Sequence, residues 1–432
     1  MSKSWRFVKR PAGPMRFLGV AAVAGMMVGS AALVPAHASP ARAGTTITLW
    51  SGLSGPDQTG FKKIVDGFNS SQSAVTLNYD QNSFTGYPQK LATALSAGKG
   101  PTVWTADAAG SATYMSQGQM APLDNLVKSS KVLKASNFAK TNWNAYRYKG
   151  KQYMIPLDVV PLMMYFNKAL LNKAGLKSPV VSGGLSKIVA AAKKLTKGSS
   201  QYGMVIPTDW PMAFLWPTVY SQFGGTAFNT KTNSSNYNSK AAVQALTVLR
   251  SLIYTNNLGP KQYAVDQDVK MLANGSAAQI FDGSWQITNP SLKTLGADFG
   301  VSVVPQFGPK KRVFIGDLGF ALYKKNSPAE NQAAIKFLEY YQTHSIEMAK
   351  VGDVPVYQPV IKSSAFKQLG GVSVAAKELK YGYYNPAIPN YDDHWLYVDA
   401  LYPVLRGQST DIKGDLAKAA AAITSHMQNG SG

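Results

Sequence analysis

The acidic side chains and the histidines are the residues of this chain that could catalyse a reaction, and their spacing does not favour one. Hydrolysis of a glycosidic bond needs two carboxylates opposed across that bond. Three of the four glutamates fall on one predicted helix and its continuation, where capping or solvation explains them. The glutamates are Glu330, Glu339, Glu347 and Glu378. A secreted glycoside hydrolase is therefore an alternative that the sequence does not favour.

Other catalytic chemistries have as little support from the residue types. Asp392 and Asp393 are neighbours in sequence, so in a strand they would point to opposite faces. The histidines show no metal-ligand spacing, and neither a phosphate-binding loop nor a G-x-S-x-G turn is present. The absence of cysteine excludes a disulfide, a thiol nucleophile, a cysteine-ligated metal and a lipid-modified cysteine. We expect no catalytic residue, no cofactor and no metal.

The bulk composition predicts a folded chain of two domains. It has 432 residues, of which 45% are hydrophobic and 15% charged, enough to build large cores. The formal net charge of +22 falls to +17 without the five basic residues of the first 38. The lysines are scattered and not interleaved with aromatic residues, which favours a solvated basic surface over nucleic-acid binding. Attraction to an acidic cell envelope and life in an acidic medium both fit this charge.

The first 38 residues have the pattern of a signal peptide. Basic residues without an acid precede an apolar run from Phe17 to Val34, and Ala36-His37-Ala38 is an A-x-A cleavage site. We predict export with cleavage after Ala38, followed by a linker at 39–44. The protein would then be extracellular or associated with the cell envelope. An uncleaved membrane anchor is the alternative.

Strand and helix patterns alternate in the segment that follows. Apolar residues recur at period two in the strands and at three to four residues in the helices. The strand patterns lie at 47–49, 75–79 and 103–104, and the helix patterns at 61–68 and 87–95. This β-α-β-α-β order predicts an α/β fold with an open, mostly parallel sheet. In such sheets ligands bind outside the carboxyl ends of the strands.

The loops at that edge of the sheet supply polar candidates for ligand binding. They span 50–57, 81–87 and 105–110. The candidates are Ser54, Asp57, Gln81, Asn82, Ser83 and Asp107. For Asp57 the alternative is a helix N-cap. For Asp107 the alternative is a loop carboxylate in water.

Five segments follow one another in an order and spacing that match a known family. They are Ile47–Gly55, Tyr165–Leu176, Phe223–Gly225, Leu272–Trp285 and Asp317–Leu322. Together, over about residues 45–360, they resemble the extracellular solute-binding protein family that includes maltose- and glycerol-phosphate-binding proteins. Gram-positive members of that family usually carry a lipobox cysteine, which this chain lacks, so the resemblance predicts the fold but not the mode of anchoring.

The resemblance implies a two-lobed periplasmic-binding-protein-like fold of type II. Each lobe would be a mixed sheet flanked by helices, with crossovers near Asp158 and near 314–319 and a ligand cleft between the lobes. The expected boundaries are 1–38 for the signal peptide, 39–44 for the linker, 45–157 and 314–358 for the first lobe, 158–313 for the second lobe, and 359–432 for a C-terminal helical part that completes the second lobe and the hinge.

Aromatic rings and glycine-rich turns complete the candidate site. A sugar needs flat rings for its C–H faces and polar groups for its hydroxyls. Trp285 stands where the resembling family stacks a ring on its ligand, and the alternative is core packing. The other tryptophan candidates, each with a structural alternative, are Trp50, Trp210, Trp216 and Trp395. Asp282 and Asp317 flank the implied cleft, where the amides of Gly283 and Gly316 could donate hydrogen bonds.

The resemblance also implies a function and its partners. The chain would be the exported substrate-binding protein of an ABC transporter, capturing a di- or oligosaccharide and delivering it to membrane permease subunits. It would act as a monomer without nucleic acid. A binder of glycerol 3-phosphate or another polyol derivative is the alternative within the family, although the anion would need a basic residue that the sequence does not place in the cleft.

Overall fold

A computed structural model describes residues 44–82, 86–384, 387–389 and 394–429. The predicted signal peptide, most of the predicted linker, Ser83 and the Asp392–Asp393 pair lie outside these ranges. Within them, no helix combines the length and the apolar character that a bilayer span requires.

The regular elements alternate along the chain as the sequence patterns predict. The strands are β1 (Thr45–Ser51), β2 (Val75–Gln81), β3 (Val103–Ala106), β4 (Arg147–Tyr148), β5 (Lys151–Gln152), β6 (Met154–Asn167), β7 (Phe228–Asn229), β8 (Ser234–Ser235), β9 (Gln279–Gly283), β10 (Phe299–Ser302), β11 (Val313–Leu322), β12 (Val354–Pro355) and β13 (Gly382–Tyr383). The helices are α1 (Gly55–Ser71), α2 (Tyr87–Ser96), α3 (Ala108–Ser116), α4 (Lys140–Ala145), α5 (Lys168–Lys173), α6 (Leu185–Leu195), α7 (Met212–Gln222), α8 (Lys240–Tyr254), α9 (Gln267–Ala273), α10 (Pro290–Lys293), α11 (Pro328–His344), α12 (Ile346–Val351), α13 (Gln358–Ile361), α14 (Ser364–Lys367), α15 (Gly370–Ala376), α16 (His394–Leu405) and α17 (Ile412–Asn429). Short 3₁₀ turns occupy Ala135–Asn137, Ser284–Thr288, Gly296–Asp298 and Leu379–Tyr381.

The N-terminal β-α-β-α-β unit is confirmed. β1 pairs in parallel with both β2 and β3. The apolar stripe of α1 is buried at Phe61, Ile64, Val65 and Phe68, as its helical spacing predicts. We call the part packed around β1, β2 and β3 the first lobe, and the part packed around β9 and β10 the second lobe.

Two long strands pass from one lobe into the other. The strands run side by side in the order β2, β1, β3, β11, β6, β10, with β9 and β12 also paired to β6. β11 pairs antiparallel with β3 between Gly319 and Leu322, so Gly316 and Asp317 lie beyond the carboxyl end of β3. β6 pairs with β11 along its first part and with β9 and β10 along its last. The edge predicted to bind ligand therefore meets the crossover strands.

Aromatic packing builds the core of the first lobe. The rings of Phe320 and Tyr341 lie edge to face at 4.8 Å, and Phe61 packs 5.6 Å from Tyr341. All three are fully buried, and each such side chain contributes about 1.5–3 kcal/mol of hydrophobic stabilisation. Tyr341 is positioned by α11, whose predicted capping box is confirmed: Ser327 and Glu330 each bond the other's backbone amide.

Candidate ligand-binding site

Three aromatic rings of the second lobe form one group beside the crossover strands. The ring centroids of Trp210 and Trp285 are 5.3 Å apart, and Phe214 lies edge-on to Trp285 at 5.6 Å. All three side chains are partly exposed, unlike the rings of the cores. Such rings offer flat apolar faces, and each indole adds a polar edge. We call Trp210, Phe214 and Trp285 the aromatic site.

The segment Asp282–Trp285 holds the indole ring of Trp285 in place. Asp282 is buried and accepts hydrogen bonds from the amide of Gly283 and from Nε2 of Gln286, both at 2.7 Å. These bonds hold the turn that leads from β9 into the following 3₁₀ segment. The indole of Trp285 folds back over Gly283, where an added Cβ would lie 2.0 Å from the ring. Glycine is therefore required for this ring position.

Helix α7 brings the other two rings to the crossover strands. Trp210 stands two residues before α7, and Phe214 lies in its first turn. The ring of Phe214 covers Gly316 on β11, where an added Cβ would lie 3.0 Å from it. Phe214 also packs at 5.3 Å against Phe314 of the same strand. The aromatic site thus rests directly on the start of β11.

Asp158 and Asp353 are buried carboxylates that lie on one face of the paired strands β6 and β12. β12 runs antiparallel to β6 with Pro355 opposite Asp158. Side chains directly opposite one another share a face, and so do residues two apart along a strand. Asp353, two residues before Pro355, therefore lies on the face of Asp158.

The aromatic site lies on that same face. Val160, two residues after Asp158, is opposite Gly316 in the pairing of β6 with β11. Since the ring of Phe214 covers Gly316, Asp158 points to the side of the sheet that Phe214 occupies.

A second contact joins Trp285 to the segment that carries Asp353. An added Cβ on Gly352 would lie 3.1 Å from Cα of Trp285. The hydroxyl of Thr288 also donates to the carbonyl oxygen of Val351 at 2.8 Å. The end of α12 therefore packs against the backbone of the segment that carries Trp285.

Asp57 joins the two buried carboxylates to form a cluster. It lies in the first turn of α1, one turn before Phe61, and so continues the buried stripe of that helix. Burial raises the pKa of Asp57 to about 7. Burial, and then the nearby charge of Asp57, raises the pKa values of Asp158 and Asp353 well above the usual range. We call Asp57, Asp158 and Asp353 the carboxylate cluster.

The enclosed oxygens of this cluster have no hydrogen-bond partner. These are Oδ1 of Asp57, Oδ2 of Asp158 and Oδ1 of Asp353. Asp158 is 2% exposed and Asp353 is 1% exposed. Enclosed acceptors without donors are costly, which favours the protonated form of these carboxyl groups.

Asp107 and Asp317 form another acidic pair at the end of β3. Asp107 caps α3 by accepting a 2.7 Å hydrogen bond from the amide of Gly110. Asp317 accepts a 3.3 Å hydrogen bond from the amide of Ala108, and burial, followed by the charge of Asp107, raises its pKa to about 7. The cap gives this exposed carboxylate a structural role, and its contact with a ligand stays a prediction.

A third acidic group lies in the second lobe beside Trp210. Burial, followed by the charge of Asp268, raises the pKa of Asp209 to about 7. Burial raises the pKa of Asp268 to about 6 and that of Asp282 well above its usual range. Across the described ranges, no three acidic or histidine side chains have the arrangement that holds a metal ion.

Sequence comparison assigns the family. Residues 53–348 match the family of bacterial extracellular solute-binding proteins. The chain belongs to this family. It is 22% identical over 399 residues to a maltotriose-binding protein of Pyrococcus abyssi (strain GE5 / Orsay), covering 88% of this chain and 82% of that relative.

Solved structures of similar proteins support the fold of this solute-binding protein. The sugar-binding protein MalE from Xanthomonas citri has a TM-score of 0.78 at 17% identity, over 89% of this chain and 98% of its own. A cyclic alpha-maltosyl-1,6-maltose binding protein from Arthrobacter globiformis has a TM-score of 0.75 at 19% identity, over 90% and 100%. The expected type II two-lobed fold and the family resemblance are confirmed.

The candidate residues of the solute-binding protein fall in different surroundings. Trp210, Trp285, Gly283 and Gly316 come together at the aromatic site, with Asp282 beneath it. Trp216 is fully buried and stacks on Tyr220 at 5.5 Å. Its prediction as a ligand contact is corrected, because its place in the core of the second lobe leaves no face for a ligand.

The candidates from the first lobe lie at the edge predicted for them. Trp50 is half-buried with Nζ of Lys90 4.3 Å above its ring, and Ser54 and Gln81 are exposed. Asp57 lies inside the first turn of α1 and is not its N-cap, which is Ser54. Trp395 falls within α16, but its side chain lies outside the described part of the structure. None of these placements tests ligand contact, so the residues remain predictions.

Sequence patterns do not predict Phe214, Asp158 or Asp353 as site residues. The resemblance predicts Asp158 only as a crossover position. A sequence signal existed for it, since it is an acid within the apolar run of residues 154–166. Nothing in the local sequence of Asp353 marks it, because its position depends on a strand pairing with residues far along the chain.

Proposed function

We propose that this chain is the exported substrate-binding protein of an ABC importer and that it captures a carbohydrate between its two lobes. The solute is a di- or oligosaccharide that rests on the aromatic site and is then delivered to membrane permease subunits. The protein acts as a monomer, without nucleic acid and without catalysis.

The observation that carries this proposal is the pair of partly exposed indoles beside enclosed carboxylates. Trp210 and Trp285 provide apolar faces of the size of a pyranose ring. Asp57, the partly exposed member of the carboxylate cluster, provides an acceptor for the hydroxyls around its rim. Apolar faces with a few fixed polar groups are the usual make-up of a small-molecule site.

The relatives support the same class of ligand. One is a maltotriose-binding protein, and the similar solved structures include a MalE sugar-binding protein and a binder of cyclic alpha-maltosyl-1,6-maltose. Their identities to this chain are low, so they support a carbohydrate and leave its identity open. Family membership likewise supports a solute binder over a glycoside hydrolase.

Glycerol 3-phosphate is the less favoured alternative. A phosphate needs a cation or a set of amide donors. Carboxylates with raised pKa values lie around the aromatic site, which makes it unfavourable to a further negative charge, and the guanidinium of Arg406 near Trp210 already donates to the carbonyl oxygen of Thr208.

A thermal-shift screen over a panel of neutral sugars and glycerol 3-phosphate tests the proposal. A ligand that binds the native state raises the melting temperature by mass action, by about 2.7 kcal/mol of stability at a concentration of 100 Kd. We expect a shift with a sugar and none with the phosphate. Chromatography of the recovered ligand should show it intact, whereas shortened products would identify a hydrolase.

Export has a separate test. We propose that the mature chain begins at Ser39, because an A-x-A site follows the basic and apolar segments. N-terminal sequencing of protein recovered from the medium or the cell envelope should read Ser39 first. A chain that keeps residues 17–34 would show that the segment is a membrane anchor.

A further inference from the structure

Strand β10 lies at an edge of the sheet in the second lobe. It pairs with β6 on one side, and no strand in the described part of the chain pairs with it on the other. An edge strand presents unpaired amide and carbonyl groups, on which another extended chain can pair. The outer edge of β10 is therefore a candidate surface for a partner.

The hydrogen bonds of β6 show which groups of β10 are unpaired. In an antiparallel ladder the successive residues of a strand bond alternately to one side and to the other. The amide of Asn167 donates to the carbonyl oxygen of Ala278 at 3.0 Å, so Asn167 bonds toward the side of β9. Phe166 therefore bonds toward β10, where it is opposite Gly300. The amide and carbonyl groups of Val301, the next residue of β10, consequently point away from β6.

A cavity of about 360 Å³ borders this edge. It is lined by the partly exposed residues Val301, Ser302 and Val303, and by Val374 on α15. Successive residues of a strand face opposite sides of a sheet, so a cavity that touches three in a row lies at the edge of the sheet. No hydrogen bond from another described residue reaches the outward groups of Val301. The unpaired edge is thus open to a partner.

Three exposed lysines border the same cavity. They are Lys311, Lys377 and Lys380. Nζ of Lys311 and Nζ of Lys380 lie 4.4 and 4.9 Å from the ring centroid of Tyr381, so these two charges are close together. Across the described ranges, none of the three forms an ion pair. Glu378 lies nearby, but it is buried and its carboxyl group accepts a 2.8 Å hydrogen bond from the amide of Val304. The rim of the cavity is therefore positively charged.

The groups at this edge fit an acidic peptide better than other anionic chains. Val301 presents both an amide donor and a carbonyl acceptor, and an extended peptide offers the complementary pair. A phosphodiester chain offers acceptors without the matching donors. A second copy of β10 would bring two groups of lysines together, which repulsion between like charges disfavours. Acidic side chains on the added strand would instead be attracted to the lysines.

We propose that the outer edge of β10 binds an extended, acidic segment of a partner protein. The segment adds a strand by pairing with the backbone of Val301, and its carboxylates lie against Lys311, Lys377 and Lys380. This surface shares no residue with the aromatic site. The proposal therefore does not depend on which solute the protein captures.

Matched synthetic peptides test the proposal. The first peptide alternates glutamate and threonine over roughly six residues, about 20 Å when extended, and is blocked at both ends. The second has glutamine in place of glutamate, and the third keeps the glutamates but has every backbone amide N-methylated. Fluorescence anisotropy with the mature protein at low ionic strength gives their affinities. We expect the first peptide to bind roughly tenfold or more tightly than either counterpart.

Hydrogen exchange and a set of variants locate the binding. Exchange in the segment 299–303 should slow when the first peptide is bound, because the outward amide of Val301 becomes paired. Replacing the three lysines of the cavity together by glutamine should weaken binding roughly tenfold and reduce its dependence on salt. The matched control makes the same change of charge at three exposed lysines of the first lobe and should leave the affinity within about twofold. These control substitutions are Lys128→Gln, Lys131→Gln and Lys140→Gln.

Each other outcome overturns a stated part of the proposal. Equal binding of the N-methylated peptide would show that charge alone attracts the acidic peptide and that no strand is added. Equal binding of the glutamine peptide would remove the preference for acids. If none of the peptides binds, the lysines protect this edge from pairing, and β10 is not an interface. If the triple variant does not fold, the peptide series and hydrogen exchange on the unaltered protein decide.

Discussion

Helix α7 and the residues just before it carry two aromatic groups with opposite roles. Trp210 and Phe214, at its beginning, are partly exposed and lie against Trp285. Trp216 and Tyr220, further along, are fully buried and stack with nearly parallel rings, only 3° apart. One short segment thus supplies both a candidate ligand platform and a piece of the core.

The difference lies in what stands opposite each group. Tyr237 and the rest of the second-lobe core close over Trp216, with ring centroids 6.3 Å apart. Opposite Phe214 and Trp285 stand Gly316 and Gly283, whose missing side chains leave room for rings but cannot cover them. The exposure of these rings thus depends on the glycines they pack against, one of which is close in sequence (Gly283 for Trp285) and the other far away (Gly316 for Phe214).

The largest effect is expected from truncation of the buried ring of Trp216. Trp216→Ala should lower the free energy of unfolding by about 3–5 kcal/mol, because it leaves a large cavity. Denaturant unfolding followed by circular dichroism measures it. A loss below about 1 kcal/mol would mean that Trp216 is not a core residue and would restore it as a ligand candidate.

An intermediate effect is expected at Gly283. Gly283→Ala places a Cβ where the indole of Trp285 lies, so the ring must move. Overpacking of this kind costs about 1–3 kcal/mol, and the displaced platform should also weaken sugar binding. Trp285→Leu combined with Gly283→Ala is the control, since removing the indole should restore most of the stability. If the double variant stays as unstable as Gly283→Ala, the strain lies elsewhere.

Truncation of the platform should affect binding and spare stability. Trp285→Ala is expected to weaken binding of the sugar found in the screen by at least roughly tenfold, about 1.4 kcal/mol. Its melting temperature without ligand should stay close to that of the unaltered protein, because a partly exposed ring contributes little to the core. Calorimetric titration and thermal unfolding give the two values. Normal affinity, or failure to fold, would make Trp285 a core residue like Trp216.

The features that could be predicted from the sequence are those set by residues close together along the chain. The capping box at Ser327 and the buried stripe of α1 follow from residues within a few positions of one another, and both are confirmed. Trp210 and Trp216 could not be told apart, since both stand beside prolines in one segment. Asp353 was missed because its place depends on a pairing with β6, almost 200 residues earlier.

The raised pKa values of the carboxylate cluster should make the stability of the protein depend on pH. A carboxyl group with a raised pKa in the folded state binds more protons folded than unfolded, so its contribution to stability falls as pH rises. For Asp57 this window runs from the ordinary value of 3.8 to about 7. We expect the melting temperature without ligand to fall across it, and Asp353→Asn to flatten the decline. An equally steep decline in that variant would place its origin outside the cluster.

The smallest expected effect is a change of shape on binding. β6 and β11 pass between the lobes side by side, and β12 pairs with β6, so the connection is a hinge and not a free linker. A solute that touches both the aromatic site and the first-lobe residues favours the closed form, because only that form makes both sets of contacts. Small-angle scattering should show a small decrease from a radius of gyration of roughly 21 Å, the value for a compact chain of this length. Trp285→Ala at the same ligand concentration should show a lesser decrease. An unchanged radius in the presence of proven binding would mean that the lobes do not close over the solute, and that the permease recognises another feature of the loaded protein.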